Sequence, residues 1–389
     1  MQIQQQNRAV KQLICVQAAA LSIAFCVLSG AQAQAQTLPT PAEPSLPDVV
    51  RPTDNLSKLS RDMLTSPGAW NEVAKFTQLK DPNLIFPGQT LDIPLRSLKS
   101  RPASGRVISI EGDVTLGGSA MQPAANLADG AKIKTDANSS AVIELGDGSR
   151  MKILPGSLAE IVTNRDYAMR DASKSGSTNW FSGLMGLSEG APAALASKTG
   201  KCAKEFQVET PTSLVGVRGT GFRVAMNDTL SDPLLNAART EVIEGLVRAD
   251  NPAQASGANL PKGTGAVVNP LEKEVKVAVV LRPAPDLAGI TSKILKPQAN
   301  WPMPTLTGAS AYSVQVASDA QFDKIVRSLK VAGNASADLS SLPNGNWFAR
   351  VQGIDAVGLE GFNSVKLIVV EDNWAQTEFD KTLALQAIK

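Results

Sequence analysis

The chain has 389 residues, 43% hydrophobic content and a formal net charge of +2, which are values of a globular protein long enough for several domains. Nearly balanced charge gives no electrostatic case for nucleic-acid binding, and 4% aromatic content leaves little for base stacking. The sequence contains no histidine, which excludes Ser-His-Asp and Cys-His catalysis and imidazole ligands for metals.

The first 35 residues have the pattern of a signal peptide. Arg8 and Lys11 precede a short apolar run, and Ala33-Gln34-Ala35 is a small-x-small cleavage motif. We therefore expect residues 1–35 to be removed during export and the mature protein to act in the periplasm. Prolines recur through residues 36–47, which predicts an extended linker.

Residues 48–96 have the pattern of strand, two short helices and strand. Val49 and Val50 begin the first strand, and Asp54 is placed to cap a helix with one apolar face. Ser66-Pro67 starts a second helix, and Pro87-Gly88 turns the chain into a strand over residues 90–94.

The stretches DNLSKLS and WNEVAKFTQLKDPNLIFPGQTLDIP resemble the LysM domain, a βααβ module that binds N-acetylglucosamine-containing glycans. That family usually has Gly-Asp-Thr-Leu where this chain has Thr53-Asp54-Asn55-Leu56. The resemblance implies that the protein associates with the cell wall by holding peptidoglycan in a shallow groove. The groove residues it implies are Asp54, Asn55, Leu56, Asn83, Leu84, Ile85, Pro87 and Gly88. For Leu56 and Ile85, packing in the core is an equal alternative.

Residues 104–270 change to a period of two and predict an all-β domain of many short strands. Alternation runs through residues 107–110, 140–145 and 206–210, and Asp147-Gly148 predicts a hairpin turn. Within this span, residues 170–202 are rich in Ser, Gly and Ala around an apolar group (Trp180, Phe181, Leu184, Met185 and Leu187). We expect a loop insertion that folds back onto the β-domain; the alternative is a partner-binding or lipid-touching patch.

Four pieces of this span resemble the FecR domain family: GRVISIEGDVTLGG, ANLADGAKIKTDANSSAVIELGDGSRMKILPGS, FQVETPTSLVGVRGTGFRV and TEVIEGLVRAD. The namesake members are periplasmic signal transducers that control sigma factors through a cytoplasmic anti-sigma segment and a transmembrane helix. This chain has a signal peptide and the LysM-like segment in their place, so the resemblance implies the fold without the sigma-factor role. The motif residues expected to be structural are Gly148, Gly216, Arg218, Gly219 and Thr220.

The glycine-rich stretch SLVGVRGTGFRV at residues 213–224 does not have the pattern of a phosphate-binding loop. Such a loop leads into a helix, whereas the residues after Gly221 alternate as a strand and no Gly-Lys-Ser/Thr occurs. We expect these glycines to serve bulges and close backbone approach. Arg218 either pairs with a carboxylate inside the domain or stands exposed as a ligand contact.

Residues 283–371 predict a third domain. Strand-like alternation at residues 312–317 and 347–351, with turns every ten or so residues, is similar to the fibronectin type III-like β-sandwich of bacterial surface proteins. The tail, residues 372–389, is compatible with a short amphipathic helix. The predicted fold class is therefore multidomain and mainly β: a small βααβ LysM module, an all-β FecR-type domain and a β-sandwich.

The carboxylates give no catalytic constellation. Glu144 and Asp147 are close in sequence but occupy strand and turn positions, and Glu209 and Glu244 flank separate strands. We expect no catalytic residue, no cofactor and no metal. The sequence thus predicts a non-enzymatic envelope protein that binds peptidoglycan and presents its β-domains as scaffold or interaction surfaces. The alternative is a periplasmic signal-transduction component that relays envelope state to an inner-membrane protein partner.

Overall fold

The computed structural model describes residues 45–123, 125–170, 177–195, 206–217, 219–226, 237–297 and 299–373. Over these ranges the protein is a multidomain, mainly β molecule, which confirms the predicted fold class. The expected signal peptide, residues 1–35, and the tail beyond residue 373 lie outside the described residues. Neither α-helix within them has the length and apolarity that a membrane span requires.

The N-terminal module combines a two-stranded antiparallel sheet with two short helices. Strands and helices are numbered in chain order: β1 Ser45–Val49, α1 Leu56–Met63, α2 Trp70–Phe76 and β2 Thr90–Pro94, with 3-10 turns at Pro67–Ala69 and Leu95–Ser97. β1 begins inside the predicted linker, residues 36–47, because Pro47 already pairs with Asp92 of β2. The predicted cap at Asp54 is wrong, since the side chain of Asn55 accepts from the backbone N–H of Lys58 at 2.8 Å.

The central β-domain consists of two sheets. The ten-stranded sheet contains β3 Ser100–Pro102, β5 Val114–Leu116, β6 Ser119–Ala120, β7 Ala131–Thr135, β10 Leu158–Arg170, β11 Ser177–Glu189, β13 Phe206–Glu209, β14 Leu214–Val217, β17 Leu246–Asn251 and β18 Ser256–Pro261. The eight-stranded sheet contains β4 Arg106–Glu111, β8 Ser140–Glu144, β9 Arg150–Ile153, β12 Pro192–Leu195, β15 Gly221–Met226, β16 Ala238–Glu244, β19 Thr264–Val268 and β20 Lys276–Val280.

One hydrophobic core joins these two sheets. Side chains at alternating positions of both sheets, such as Ile133, Ile143, Val208 and Val242, are fully buried in it. β3 and β20 lie outside the predicted domain limits of 104 and 270, yet each pairs with a strand of this domain.

The predicted loop insertion at residues 170–202 is wrong where the structure describes it. β11 pairs antiparallel with β10 along most of its thirteen residues and parallel with β13. Its Phe181, Met185 and Leu187 are buried in the core of the central domain, so the apolar group does fold back as expected. Gly183 has a packing role: a Cβ there would lie 2.7 Å from the ring of Phe181 and 2.9 Å from that of Phe206.

The C-terminal sandwich packs a five-stranded sheet against a two-stranded one. Its strands are β21 Lys293–Lys296, β23 Ala311–Ala317, β24 Ile325–Ala332, β26 Gly345–Ile354 and β27 Glu360–Asp372 in the larger sheet, with β22 Asn300–Pro302 and β25 Ser336–Asp338 in the smaller. Trp301 is the largest fully buried side chain of its core, and its indole N–H donates to the carbonyl of Thr291 at 2.9 Å.

Candidate functional site

The residues in the first half of the predicted glycan groove, Asp54, Asn55 and Leu56, have structural roles. Leu56 is 6% exposed and belongs to the core of the N-terminal module, so the core alternative holds for this residue. Asn55 caps α1. The carboxylate of Asp54, with a side chain 2% exposed, accepts from the backbone N–H of Arg51 at 2.8 Å and from Arg170 Nη1 at 2.6 Å.

The structure explains why the departure at residue 53 matters. Thr53 has a φ of +76°, in the left-handed region that a β-branched residue rarely occupies. The LysM family usually has glycine at this position, which adopts such a φ without strain. The left-handed backbone at residue 53 is therefore adopted by a threonine at the cost of local strain.

The second half of the predicted groove is open to solvent. Asn83, Leu84, Pro87 and Gly88 are exposed, and Ile85 is half-buried against the core of the N-terminal module. Leu84 is 57% exposed and its neighbour Phe86 is 62% exposed, so this loop presents two large apolar side chains. The loop is held in shape by the N–H of Gly88, which donates to the carbonyl of Val50 at 2.8 Å.

An interface between the β10–β11 hairpin and the N-terminal module, here called the hairpin interface, accounts for the role of Asp54. Arg170, at the end of β10, forms ion pairs with both Asp48 and Asp54. The side chains of Tyr167 and Met169 enter the core of the N-terminal module, and Trp180 packs against it. The module is therefore fixed to the central domain by a buried ionic group surrounded by apolar contacts.

The charges of the hairpin interface are mutually stabilised. Burial acts to raise the pKa of Asp54, but the hydrogen bonds from Arg170 and Arg51 and the positive charges of Arg170 and Lys58 outweigh it and lower the pKa. Burial likewise acts to lower the pKa of Arg170, and its bonds to Asp48 and Asp54 reverse the direction and raise it. Asp54 and Arg170 are thus charged at neutral pH, and neither carboxylate oxygen of Asp54 is free of an ionic partner.

The glycine-rich stretch carries the chain from one sheet of the central domain to the other. Gly216 lies in β14, paired with Gln207 and Arg248, and Gly219 has a φ of +57° two residues before the start of β15. Thr220 is buried, and its hydroxyl has no partner among the described residues. Arg218 lies outside the described residues. Gly148 has a φ of +83° in the tight turn after β8, where Ser149 N–H donates to Asp147 at 2.9 Å.

The carboxylates considered as candidates for catalysis have separate positions and separate partners. Glu144 pairs with Arg106 at 2.9 Å and with Arg150 at 3.0 Å, which lowers its pKa. Glu209 ends β13 in one sheet and Glu244 ends β16 in the other. In the ranges that the structure describes, no three His, Cys, Asp or Glu side chains are grouped closely enough to hold a metal ion.

A second interface, here called the polar interface, joins the outer face of the eight-stranded sheet to the five-stranded sheet of the sandwich. Arg223 of β15 pairs with Glu241 of β16 at 3.5 Å and donates to the carbonyls of Glu360 at 2.5 Å and Gly361 at 2.9 Å. The N–H of Glu360 donates back to Glu241 at 3.1 Å. Lys152 of β9 forms an ion pair with Asp323 at 2.7 Å. Charged side chains therefore make most of the described contacts across this interface.

A small apolar contact supplements these charges. Leu154 of the central domain packs with Ala317, Phe322 and Ile325 of the sandwich. The backbone N–H of Ile325 also donates to the hydroxyl of Ser140 at 3.0 Å, across 185 positions of sequence. The two domains are thus joined by an apolar contact and a hydrogen bond in addition to the charged contacts.

A cavity of about 520 Å³ lies within the polar interface. Val142, Leu154 and Ile243 of the central domain line it, together with polar residues of the sandwich that include Gln315 and Arg350. The guanidinium of Arg350 bonds to Gln315 Oε1, from Nε at 3.0 Å and from Nη2, and lies 4.4 Å from the centre of the Phe322 ring. Burial and the neighbouring charge of Arg223 lower the pKa of Arg350 from 12.5 to about 10.

Sequence reasoning missed the residues of this cavity. Gln315 and Arg350 alternate with apolar residues along β23 and β26, a pattern that predicts a strand with one face in water. Arg223 and Glu241 show the same alternation in the central domain. The pattern shows that these faces are polar but does not show that they pack against each other.

Comparison with known proteins identifies part of the central domain. Residues 131–248, from the start of β7 into β17, match the family model described as FecR protein. The predicted FecR resemblance is thereby confirmed over this range, while the LysM and fibronectin type III-like resemblances stay predictions. No curated protein matches the chain.

Three solved structures are similar to parts of the chain. Two are crystal structures of a candidate anti-sigma factor from Parabacteroides distasonis, at 17% and 15% identity and a TM-score of 0.28 each. They cover 45% and 52% of this chain, and 82% and 98% of their own. The FN1-FN3 domains of chicken CNTN1 have 13% identity and a TM-score of 0.20, covering 70% of this chain and all of theirs. At such TM-scores the similarity supports no inference about function.

Proposed function

We propose that this protein is a non-enzymatic signal-transduction component of the cell envelope, which acts in the periplasm after export. The observation that carries the proposal is the FecR match at residues 131–248, since it falls on strands from both sheets of the central domain. The proposed partner is a membrane protein of the envelope. The central domain would relay to it changes in the N-terminal module and in the sandwich. No cofactor, metal or nucleic acid is part of this proposal.

The way the central domain is connected supports a relay. Arg170 links it to the N-terminal module, and Arg223 links it to the sandwich. A ligand or strain acting on either outer domain would therefore bear on the strands of the central domain through charged, directional contacts. We propose that the outer domains are a LysM-like module and a fibronectin type III-like sandwich.

Photo-crosslinking in the native host, combined with gene deletion, tests the regulatory role. A photoreactive amino acid would replace Leu246, which is 56% exposed on β17 of the central domain, and Leu367, 49% exposed on the sandwich, would serve as the matched position. We expect a crosslink from residue 246 to an integral membrane protein, and a change in transcription of a defined gene set in the deletion strain. Unchanged transcription together with no protein crosslink from residue 246 would contradict the proposal.

Glycan binding by the N-terminal module is a second candidate function. It is favoured by the exposed apolar pair Leu84 and Phe86 in the loop that the LysM resemblance assigns to the groove. Exposed apolar and aromatic side chains suit the methyl groups and ring faces of N-acetylated sugars. Peptidoglycan would then anchor the regulator to the wall.

Co-sedimentation of the mature protein with purified sacculi tests this second function. Leu84→Ala with Phe86→Ala should weaken binding about tenfold or more, because the exposed apolar contact is lost. Leu246→Ala removes an equally exposed leucine from another domain and should leave binding unchanged. If wild type does not sediment, or if the double variant sediments as wild type does, glycan binding at this loop is wrong and the regulatory proposal stands alone.

A further inference from the structure

We propose that the 520 Å³ cavity of the polar interface binds a small organic anion, whose acidic group pairs with Arg350. The apolar part of the ligand would rest on Val142, Leu154 and Ile243. This site is independent of the regulatory role and of glycan binding, because it depends only on residues that face the cavity.

The ion pairs around the cavity leave one cation unmatched. Arg150 pairs with Glu144, Lys152 with Asp323 and Arg223 with Glu241. The cavity carboxylate of Glu360 lies 3.8 Å from Lys330. Among the described residues, Arg350 is the cavity-lining cation without a carboxylate within 4.0 Å. This half-buried guanidinium has only the more distant charges of Glu360 and Asp319 to compensate it, and an anion in the cavity would complete the compensation.

Arg350 is already held in an orientation suited to binding. Gln315 fixes one edge of its guanidinium and the Phe322 ring supports one face. Nη1 carries no hydrogen bond within the described part of the chain, so it can donate to a carboxylate or phosphate oxygen. Its pKa of about 10 keeps the group charged at neutral pH while reflecting its removal from water.

The size and lining of the cavity indicate an amphipathic ligand rather than an inorganic ion. Ligand pockets range from about 300 to 1,000 Å³, and this volume would leave most of the space empty around a bare phosphate. Val142 and Leu154 are buried in the interface and offer apolar surface next to the cation. A second cavity of about 520 Å³ shares Leu154, Gln315 and Glu360 with the first, but Arg350 does not line it.

Calorimetric titration of the mature protein tests the site with defined probes. 4-Phenylbutyrate and phenyl phosphate are the anionic probes, 4-phenylbutan-1-ol is the neutral analogue and inorganic phosphate is the bare anion. We expect the butyrate to bind with a Kd of about 1 mM or below, and the alcohol and inorganic phosphate to bind at least about tenfold more weakly. Equal binding of acid and alcohol, or no binding of either anionic probe at about 20 mM, would overturn the proposal.

Matched variants locate the binding. Arg350→Gln should raise the Kd of 4-phenylbutyrate about tenfold or more, whereas Arg101→Gln, which removes a paired cation away from the cavity, should leave it unchanged. Ile243→Trp fills the cavity while keeping Arg350 and should abolish binding. If Arg350→Gln does not fold, this variant tests whether the probe binds in the cavity. An unchanged Kd in a folded Arg350→Gln or Ile243→Trp variant means that the probe binds elsewhere.

Discussion

The two interfaces of the central domain use arginine in opposite ways. At the hairpin interface Arg170 faces two carboxylates, Asp48 and Asp54, and apolar side chains surround the group. At the polar interface Arg223 is paired, but Arg350 contacts the neutral amide of Gln315 and the Phe322 ring beside a cavity, with no carboxylate in ion-pair contact. A charge that is fully compensated serves architecture, whereas a charge that is left without a carboxylate beside open volume marks a place for a ligand.

The largest effect should come from breaking the hairpin interface. Arg170→Ala would leave Asp48, with a side chain 5% exposed, buried without its cation, and Asp54, 2% exposed, with only Lys58 at 3.6 Å. We expect a loss of about 3 kcal/mol in the free energy of unfolding of the N-terminal module. Urea unfolding followed by tryptophan fluorescence measures it, since Trp70 and Trp180 both lie in this core.

Arg101→Ala is the matched control for that variant. Arg101 pairs with Asp166 at 3.5 Å, but its side chain is 67% exposed, so its removal should cost less than about 0.5 kcal/mol. Similar losses in the two variants would mean that the hairpin interface is not the closed ionic group described above.

Removing one hydrogen bond that crosses the polar interface should lower the free energy of unfolding by less than Arg170→Ala does. Ser140→Ala takes away the acceptor for the backbone N–H of Ile325, a residue that is fully buried. We expect a cost of about 1–2 kcal/mol and faster hydrogen exchange at Ile325 N–H. In Ser109→Ala the lost hydroxyl is buried without a partner, so this variant should stay within about 0.5 kcal/mol of wild type or gain stability. Equal costs in the two serine variants would show that the bond to Ile325 does not hold the domains together.

Local features of the fold can be predicted from the sequence, whereas the pairing of residues 177–189 cannot. The strands β8 and β13, the helix face of Leu56 and Leu59 and the turn at Gly148 follow from local spacing, and the structure has them, although β8 is buried on both faces. The abundance of Ser, Gly and Ala in residues 170–202 predicts a loop insertion, yet residues 177–189 of that span form β11. Composition does not distinguish a glycine that gives flexibility from one such as Gly183, which makes room for the rings of Phe181 and Phe206.

The candidate sites depend on contacts between distant parts of the chain, which local spacing does not contain. Asp54 looks like a helix cap or a groove residue until Arg170, 116 positions later, is placed against it. Likewise the polar faces of β15 and β26 look solvent-facing until one covers the other. Arg170 and Arg350 are distinguished by whether the fold brings carboxylates within ion-pair distance of the guanidinium.

Acid should weaken the hairpin interface in a defined direction. The pKa of Asp54 lies below its ordinary value of 3.8, so its contribution to stability is present above that value and is lost as pH falls through the lowered pKa. We expect exchange protection of residues 45–64 to fall in wild type as the pH drops below 3.8. Asp54→Asn should start lower and change less with pH. Identical pH slopes in the two proteins would separate Asp54 from the acid response.

The smallest effect belongs to the polar interface and has the opposite sign. Burial raises the pKa of Glu241, with the nearby charge of Glu360 adding to it, against the opposing charges of Arg223 and Arg239. A carboxyl whose folded pKa is raised loses stability as pH rises from its ordinary value of 4.5 through the raised value. Exchange protection at Glu360 N–H, which donates to Glu241, should therefore decline with rising pH in wild type.

Glu241→Gln separates that titration from the hydrogen bond. Glutamine keeps an acceptor for Glu360 N–H but carries no charge, so protection at this amide should become nearly independent of pH above about 4.5. Glu209→Gln, at an exposed position of the same domain, should leave the wild-type decline in place. A decline that persists in Glu241→Gln would assign the pH response to another group of the polar interface and leave Glu241 as a structural partner of Arg223.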